Sequence, residues 1–398
     1  MAKGIKIGKK GLVDIKKFGM LGKTRNKAIE NSPISDDFHS YRINDIAASL
    51  HRDHMDLVVS EIKERGNAKE FVLSSPDSTP LPSFRAGSYV SIKVKIGDSY
   101  TSRPYSISSS PKDAEKGRIS VTIENYELGF VAPYLYSNLK KGDHIISSSP
   151  TGTFHYDPLR DKSTVVALAG GSGITPFLSM AYAIRDGYED FDLIILYGNR
   201  TEDTILFKDE LEDIASATPK VKVVHILSDE KKEGYEYGFI NSEIIKKYAP
   251  SEYSVFACGP GNFYSFMKKD IKKLNLPERL IRFEMEAVTK DPYSDPAFPK
   301  NAISKTFIGL IRQCGKEYRI ELRSDENILT SIERAGIKAP SSCRSGVCAW
   351  CRSRLVEGEA FYPEVNEYRR KADKDLGYIH PCAAFPLSDL VLEIGSEL

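Results

Sequence analysis

The chain has 398 residues, too many for one ordinary core, so two to four domains are expected. Lys and Arg number 56 against 55 Asp and Glu, which removes the electrostatic reason to expect a nucleic-acid partner and leaves a small molecule or a protein. No apolar run approaches the roughly 18 residues of a membrane helix, and the N-terminus lacks the apolar centre of a signal peptide; no transmembrane segment and a cytoplasmic location are expected.

Residues 1–52 read as a basic N-terminal extension. Nine cations between Lys3 and Lys27 face only Asp14 and Glu30, and five glycines between Gly4 and Gly22 argue against one long amphipathic helix. A solvated or partly ordered arm is expected, a docking device being the other reading, with a short helix at Asn44–His51.

Over residues 53–158 the pattern turns to β. Short runs at Asp56–Ile62, Glu70–Ser74, Tyr89–Val94, Arg103–Ser108, Ile119–Ile123 and Ile145–Ser148 are split by Gly, Pro, Asn and Asp, which predicts a small antiparallel barrel with one helix, Val131–Leu139. Residues 159–288 alternate apolar runs at Thr164–Ala169, Leu193–Tyr197, Val221–Ile226 and Ser254–Cys258 with helices at Pro176–Arg185, Phe207–Ala215, Ser242–Tyr248 and Phe263–Leu274. Buried parallel strands read this way, so a doubly wound α/β domain follows. The proline-rich stretch 289–302 reads as a linker. Residues 303–398 then form an α+β domain: strands Thr306–Arg312, Tyr318–Leu322, Ser353–Val356 and Leu390–Glu393, and a helix Glu326–Ala335.

Of six cysteines, Cys343, Cys348, Cys351 and Cys382 crowd into this last domain, while Cys258 and Cys314 stand alone. This is not the spread of a disulfide framework. The spacing C-x4-C-x2-C with a distant fourth cysteine is that of a plant-type [2Fe-2S] cluster, and Ser345, Gly346 and Ala349 are small enough to let backbone amides approach the sulfurs. A tetrahedral zinc site, the alternative, usually uses paired C-x2-C knuckles.

Arg103-Pro104-Tyr105-Ser106 lies in a predicted barrel strand. Two readings stand: a strand with an edge proline, or a flavin site with Arg103 on a phosphate, Tyr105 stacked on the ring and Ser106 near its N5. Gly129-Phe130-Val131-Ala132 opens the next helix, where amides could hold a second phosphate, a plain loop-to-helix turn being the alternative. Gly170, Gly171, Gly173 and Thr175, in G-G-S-G-I-T-P, lie between an apolar strand and a helix and suit a dinucleotide pyrophosphate, a plain turn being the alternative. Cys258-Gly259-Pro260 ends the last parallel strand, where the thiol either lines a nicotinamide pocket or is merely buried. Arg200, after the second strand, meets the adenosine ribose or a 2'-phosphate, a surface arginine being the alternative.

Together and in this order, R-x-Y-S, G-G-S-G-I-T-P with C-G-P, and the four cysteines resemble the ferredoxin-NADP reductase superfamily. The closer resemblance is to its oxygenase reductases that carry a C-terminal ferredoxin. The resemblance spans Asp56 to Leu398 and implies three domains: an antiparallel flavin barrel, an α/β NAD(P)-binding domain and a β-grasp ferredoxin domain. It implies that NAD(P)H reduces a flavin, which passes electrons through the cluster to a protein acceptor. NADH is expected with NADPH as the alternative, and FAD with FMN as the alternative, because Ala132 stands where many FAD-binding relatives have Ser or Thr. Glu284 resembles the acidic residue after the family's last strand, so Ser106, Cys258 and Glu284 are the catalytic candidates. The rival functions are a non-catalytic redox-sensing or metal-stabilised protein, and the same chemistry running toward NAD(P)+ reduction.

Overall fold

The computed structural model describes residues 20–28, 31, 54–125, 130–284, 288 and 291–395. The chain divides into two units, 1–51 and 52–398. In the first, residues 20–28 are helical and exposed throughout. The helix expected at Asn44–His51 lies outside the described residues.

Within the second unit, six antiparallel strands come first: β1 (His54–Arg65), β2 (Ala68–Ser74), β3 (Tyr89–Ile96), β4 (Ser99–Ser106), β5 (Arg118–Glu124) and β6 (His144–Ser148). Their order is β4-β3-β6-β1-β2-β5, and a bridge between Ile107 and Val121 brings the end of β4 back to β5, closing a barrel. Alternation in β1 sends Leu57 and Val59 inward to meet Phe71, Leu73, Ile92, Ile119 and Val121. β4 begins four residues before the run read from sequence, because the tight turn at Gly97 (φ +59°) pairs Ile96 with Ser99 and so recruits polar residues as strand. β4 lies at the end of the strand order, where Pro104 removes no ladder hydrogen bond on its open side.

The next domain is a six-stranded parallel sheet, ordered β10-β9-β8-β7-β11-β12, from β7 (Thr164–Gly170), β8 (Asp192–Asn199), β9 (Val221–Leu227), β10 (Glu236–Tyr237), β11 (Ser254–Cys258) and β12 (Ile281–Phe283). Four of these were legible as apolar runs. β10 and β12 are edge strands of two and three residues, too short to carry a pattern. The direction of winding reverses between β7 and β11, the place where open α/β sheets bind ligands.

In the last domain β13 (Thr306–Gln313), β14 (Lys316–Arg323), β15 (Ser353–Glu357), β17 (Tyr378–Ile379) and β19 (Leu390–Glu393) form one sheet, ordered β14-β13-β19-β15-β17, and β16 (Ala360–Phe361) pairs with β18 (Phe385–Pro386) in another. β13 and β19 run parallel while their other partners are antiparallel, and the helix Ile328–Arg334 packs its Ile328, Leu329 and Ile332 into the core. This is a β-grasp arrangement. The stretch read as a linker holds short turns at Pro292–Ser294 and Lys300–Ala302, and Phe298 is buried against Phe361 and Phe385. Residues 289 and 290 lie outside the described ones.

Candidate functional site: a strand between a cysteine loop and a nucleotide crevice

The helix Ile328–Arg334 organises both cysteine-bearing segments. Its first-turn amides have no partner within the helix, and two are taken from outside: Ile328 N–H donates to Ala384 O at 2.9 Å and Leu329 N–H to Pro381 O at 3.0 Å, which fixes the segment holding Cys382. From its last turn Glu333 reaches Arg344 in the cysteine loop with two contacts of 2.6 and 2.8 Å, a forked pair with both side chains at most 10% exposed. Positive φ at Arg344 (56°), Gly346 (82°) and Ala349 (58°) coils the loop so that amides turn toward sulfur. Ser345 N–H and Cys348 N–H approach Cys343 Sγ at 3.4 and 3.3 Å, and Trp350 N–H approaches Cys348 Sγ at 3.4 Å. Hydrogen bonds from the Cys348 thiol, the Ser345 hydroxyl and the amides of Ser345 and Cys348 hold Cys343 down to about 5. The four cysteines form two pairs, Cys343 with Cys348 and Cys351 with Cys382, the latter with sulfurs 3.3 Å apart. Among the described residues, no three His, Cys, Asp or Glu side chains converge as they would around a single ion.

This loop lies on the barrel. Ser341 Oγ is 2.8 Å from Ser102 Oγ on β4, and Ser342 meets β3 through its carbonyl, 3.1 Å from Ser91 Oγ, and its hydroxyl, 3.5 Å from Tyr89 OH. One residue along β4 from Ser102, Arg103 donates to Thr101 Oγ1 and Ser102 O at 2.8 and 2.7 Å. Among the described residues no carboxylate lies within ion-pair distance of it. Burial and the neighbouring positive charge of Arg344 lower its pKa to about 10. Tyr105, two residues on, packs against the barrel core.

The other end of β4 meets the α/β domain. Ser106 Oγ–H donates to Glu284 Oε1 at 2.6 Å, and Cys258 Sγ–H donates to Glu284 Oε2 at 2.6 Å. Glu284 is held by the sheet, its N–H donating to Ala257 O at 3.0 Å just beyond β12. Burial raises the pKa of both Glu284 and Cys258. Beside them the turns after β7 and β11 nearly touch: a Cβ on Gly173 would stand 2.3 Å from Cys258 O, and one on Gly170 3.2 Å from the Pro260 ring. Only glycine permits that approach, and Gly171 has a φ of +53°. Thr175 begins the helix Thr175–Arg185.

The structure thus gathers Ser106, Cys258 and Glu284, places Arg103, Pro104 and Tyr105 on the same strand, and sets Gly170, Gly171, Gly173 and Thr175 beside Gly259 and Pro260. Phe130 caps the helix Val131–Asn138, with Ala132 in its first turn; Gly129 lies outside the described residues. Arg200 is exposed after β8, and its carbonyl accepts from Asp229 N–H at 2.9 Å. Glu333, Arg344, Ser91, Ser102, Ser341 and Ser342 went unremarked in the sequence, since lone serines and an ordinary helical glutamate carry no motif.

Three family profiles match: "Oxidoreductase FAD-binding domain" over residues 56–156, "Oxidoreductase NAD-binding domain" over 167–269 and "2Fe-2S iron-sulfur cluster binding domain" over 311–387. The chain is 29% identical over 293 residues to the carnitine monooxygenase reductase subunit of Escherichia coli, covering 73% of this chain and 83% of that protein. It is 27% identical over 348 residues to the ferredoxin reductase component of 3-ketosteroid-9-alpha-monooxygenase from Mycolicibacterium smegmatis, covering 85% and 96%. The solved structure of phthalate dioxygenase reductase shares the fold, with a TM-score of 0.61 at 24% identity, over 86% of this chain and 98% of that one. Among the described residues no helix is long and apolar enough to cross a membrane. With an FAD-binding domain, an NAD-binding domain and a C-terminal [2Fe-2S] domain in this order, the chain is an NAD(P)H-dependent oxidoreductase that passes electrons through flavin and cluster to a protein acceptor.

Proposed function

We propose that the chain is the NADH-oxidising reductase of an oxygenase system, and that β4 is the junction of its electron path. The carrying observation is that one strand touches both sites: Ser102 meets the cysteine loop at 2.8 Å and Ser106 meets Glu284 at 2.6 Å. The stretch between them, Arg103 to Tyr105, is where the isoalloxazine and its phosphate belong. When bound, FAD supplies the step between a two-electron hydride donor and a one-electron cluster.

The residues fit these groups. Arg103 is a partly buried cation without a carboxylate partner among the described residues and with Arg344 as neighbour, an environment that a flavin phosphate would relieve. The two cysteine pairs suit two irons, each taking two thiolates, and the amides of Ser345, Cys348 and Trp350 stabilise thiolate charge. Ser345 Oγ, buried beside Cys343 Sγ, is a further donor for cluster sulfur.

Gly170 and Gly173 let their turn pack against Cys258 to Pro260 where the sheet reverses, and at Gly171, with no atom within 4 Å of where a Cβ would stand, the backbone is open to a dinucleotide. Glu284 orients both Ser106 and Cys258, so a nicotinamide entering between the two strands meets a fixed hydroxyl and thiol. Burial raises the pKa of Glu284, while the hydrogen bonds from the Cys258 thiol and the Ser106 hydroxyl act in the opposite direction. The names of the relatives, reductase components of monooxygenases, support an oxygenase component as acceptor.

Anaerobic NADH titration tests this reading. Flavin absorbance should bleach and the paramagnetic signal of a reduced [2Fe-2S] cluster should follow; a reconstituted protein showing neither refutes it. Cys348→Ser should abolish the cluster signal and leave NADH-driven ferricyanide reduction intact, and loss of both in a flavin-loaded variant would break the division of labour.

A further inference from the structure

The barrel covers the cysteine loop from the side of Ser341 and Ser342. Beyond Gly346 the loop is exposed at Val347, Cys348 and Trp350. Val347 is 45% exposed and Trp350, the only tryptophan in the chain, 60%. Tyr368, 44% exposed, comes within 3.7 Å of where a Gly346 Cβ would stand, so it borders the same rim. Of the four cysteines Cys348 is the exposed one, and the Trp350 amide is bonded to its sulfur. Any protein that takes electrons from the cluster without displacing the barrel meets this rim first. A large exposed aromatic beside a redox centre costs solvation unless something covers it, and Trp with Arg is the composition of binding hot spots.

The charges around the rim are sorted by depth. Carboxylates that neutralise the loop and its neighbours turn inward: Glu333, Asp373 and Glu367 are 3%, 6% and 22% exposed. Of the cations that face them, Arg344 at 10% and Arg369 at 17% stay inside while Arg352 at 51% and Lys374 at 45% turn outward, and Arg370 and Lys371 are exposed as well. Glu364 and Asp375 are the exposed carboxylates of the same stretch and are outnumbered. The face offered to a partner is apolar at its centre and cationic at its edge.

We propose that this rim, Val347, Trp350 and Tyr368 with Arg352, Arg370 and Lys371 around them, is the docking surface for the electron acceptor. It selects a protein that presents an acidic border around its own redox centre. The proposal rests on the cluster being the exit, as argued above. Association should weaken with salt, because rim charges act mainly on encounter.

The test uses the full, cofactor-loaded chain and two one-electron probes, the acidic haem domain of cytochrome b5 and the basic cytochrome c. Mixing from dithionite-reduced protein reads the cluster-to-haem step alone, while anaerobic NADH reduction of the same preparations reads the entry of electrons separately. Arg370→Glu with Lys371→Glu should slow cytochrome b5 reduction about tenfold at low salt and speed cytochrome c. The acidic residues sit at the start of the helix Lys371–Asp375, where they are tolerated. Trp350→Ser should slow both probes with the cluster spectrum unchanged. Rates and salt dependence unaltered in both variants overturn the proposal, as would light scattering in which Trp350→Ser turns a dimer into a monomer, since a second copy would then cover the rim. A failure confined to NADH reduction overturns the entry pathway instead.

Discussion

The barrel meets its two neighbours through different chemistry. Against the α/β domain it is locked by charge: Arg65 meets Glu210 at 2.6 Å, Arg85 forks onto Glu189 at 2.8 and 2.9 Å, and Ser110 donates to Asp186 at 2.6 Å. At the junction Arg282, 6% exposed, holds Asp161 at 2.6 Å and the carbonyls of Thr153 and His155, so it ties the connecting segment to β12. Against the cysteine loop the contacts are serine and tyrosine hydroxyls at 2.8 to 3.5 Å. Hydride transfer requires reacting atoms held within van der Waals reach, whereas an electron crosses a longer gap, so under the proposed function the seam beside Ser106, Cys258 and Glu284 is expected to be the more constrained one.

Breaking the stronger seam should have the largest effect. Arg282→Ala leaves the Asp161 carboxylate, which is fully buried, unpaired and should cost about 3–5 kcal/mol of stability by denaturant unfolding. A cost near that of a surface substitution would show the lock to be ornamental. The prediction for Glu284 concerns pH. Its folded pKa is raised, so its contribution to stability is present at acidic pH and lost as pH rises toward that value. NADH-driven ferricyanide reduction should fall over the same rise, as a carboxylate forms beside Ser106 and Cys258. Glu284→Gln, which cannot ionise, should give a flat profile across that range; a wild-type limb that survives in the variant assigns it to another group.

The weaker seam sharpens the contrast from the other side. Ser102→Ala removes a single hydroxyl pair and should cost roughly 0.5–1.5 kcal/mol, with flavin reduction by NADH untouched and cluster reduction slowed slightly. A large loss of hydride transfer in that variant would mean the two seams are mechanically coupled.

The two halves of the site differ in how legible they were. Cys343, Cys348, Cys351 and the glycines of residues 170–173 announce themselves because backbone geometry and ligation demand particular residue types at fixed spacing. Glu284 was reachable only by resemblance, since one carboxylate after a three-residue strand has no pattern of its own. The pairing of Glu333 with Arg344 was not reachable at all. It joins a helix to a loop, and sequence periodicity reports which face of an element is buried but not which distant charge it will meet. The same limit hid β10 and β12, edge strands whose place is set by the sheet they extend.

The sequence by itself therefore determined the three domains, their order, the cysteine set and the glycine turns, because each follows from local backbone demands or from the alternation of apolar residues. The tertiary structure decided what those pieces do to one another. Only folding brings Ser106, Cys258 and Glu284 from three separate elements within 2.6 Å contacts, and only folding lays the cysteine loop against β4. Those contacts depend on long-range packing, which local propensity does not encode.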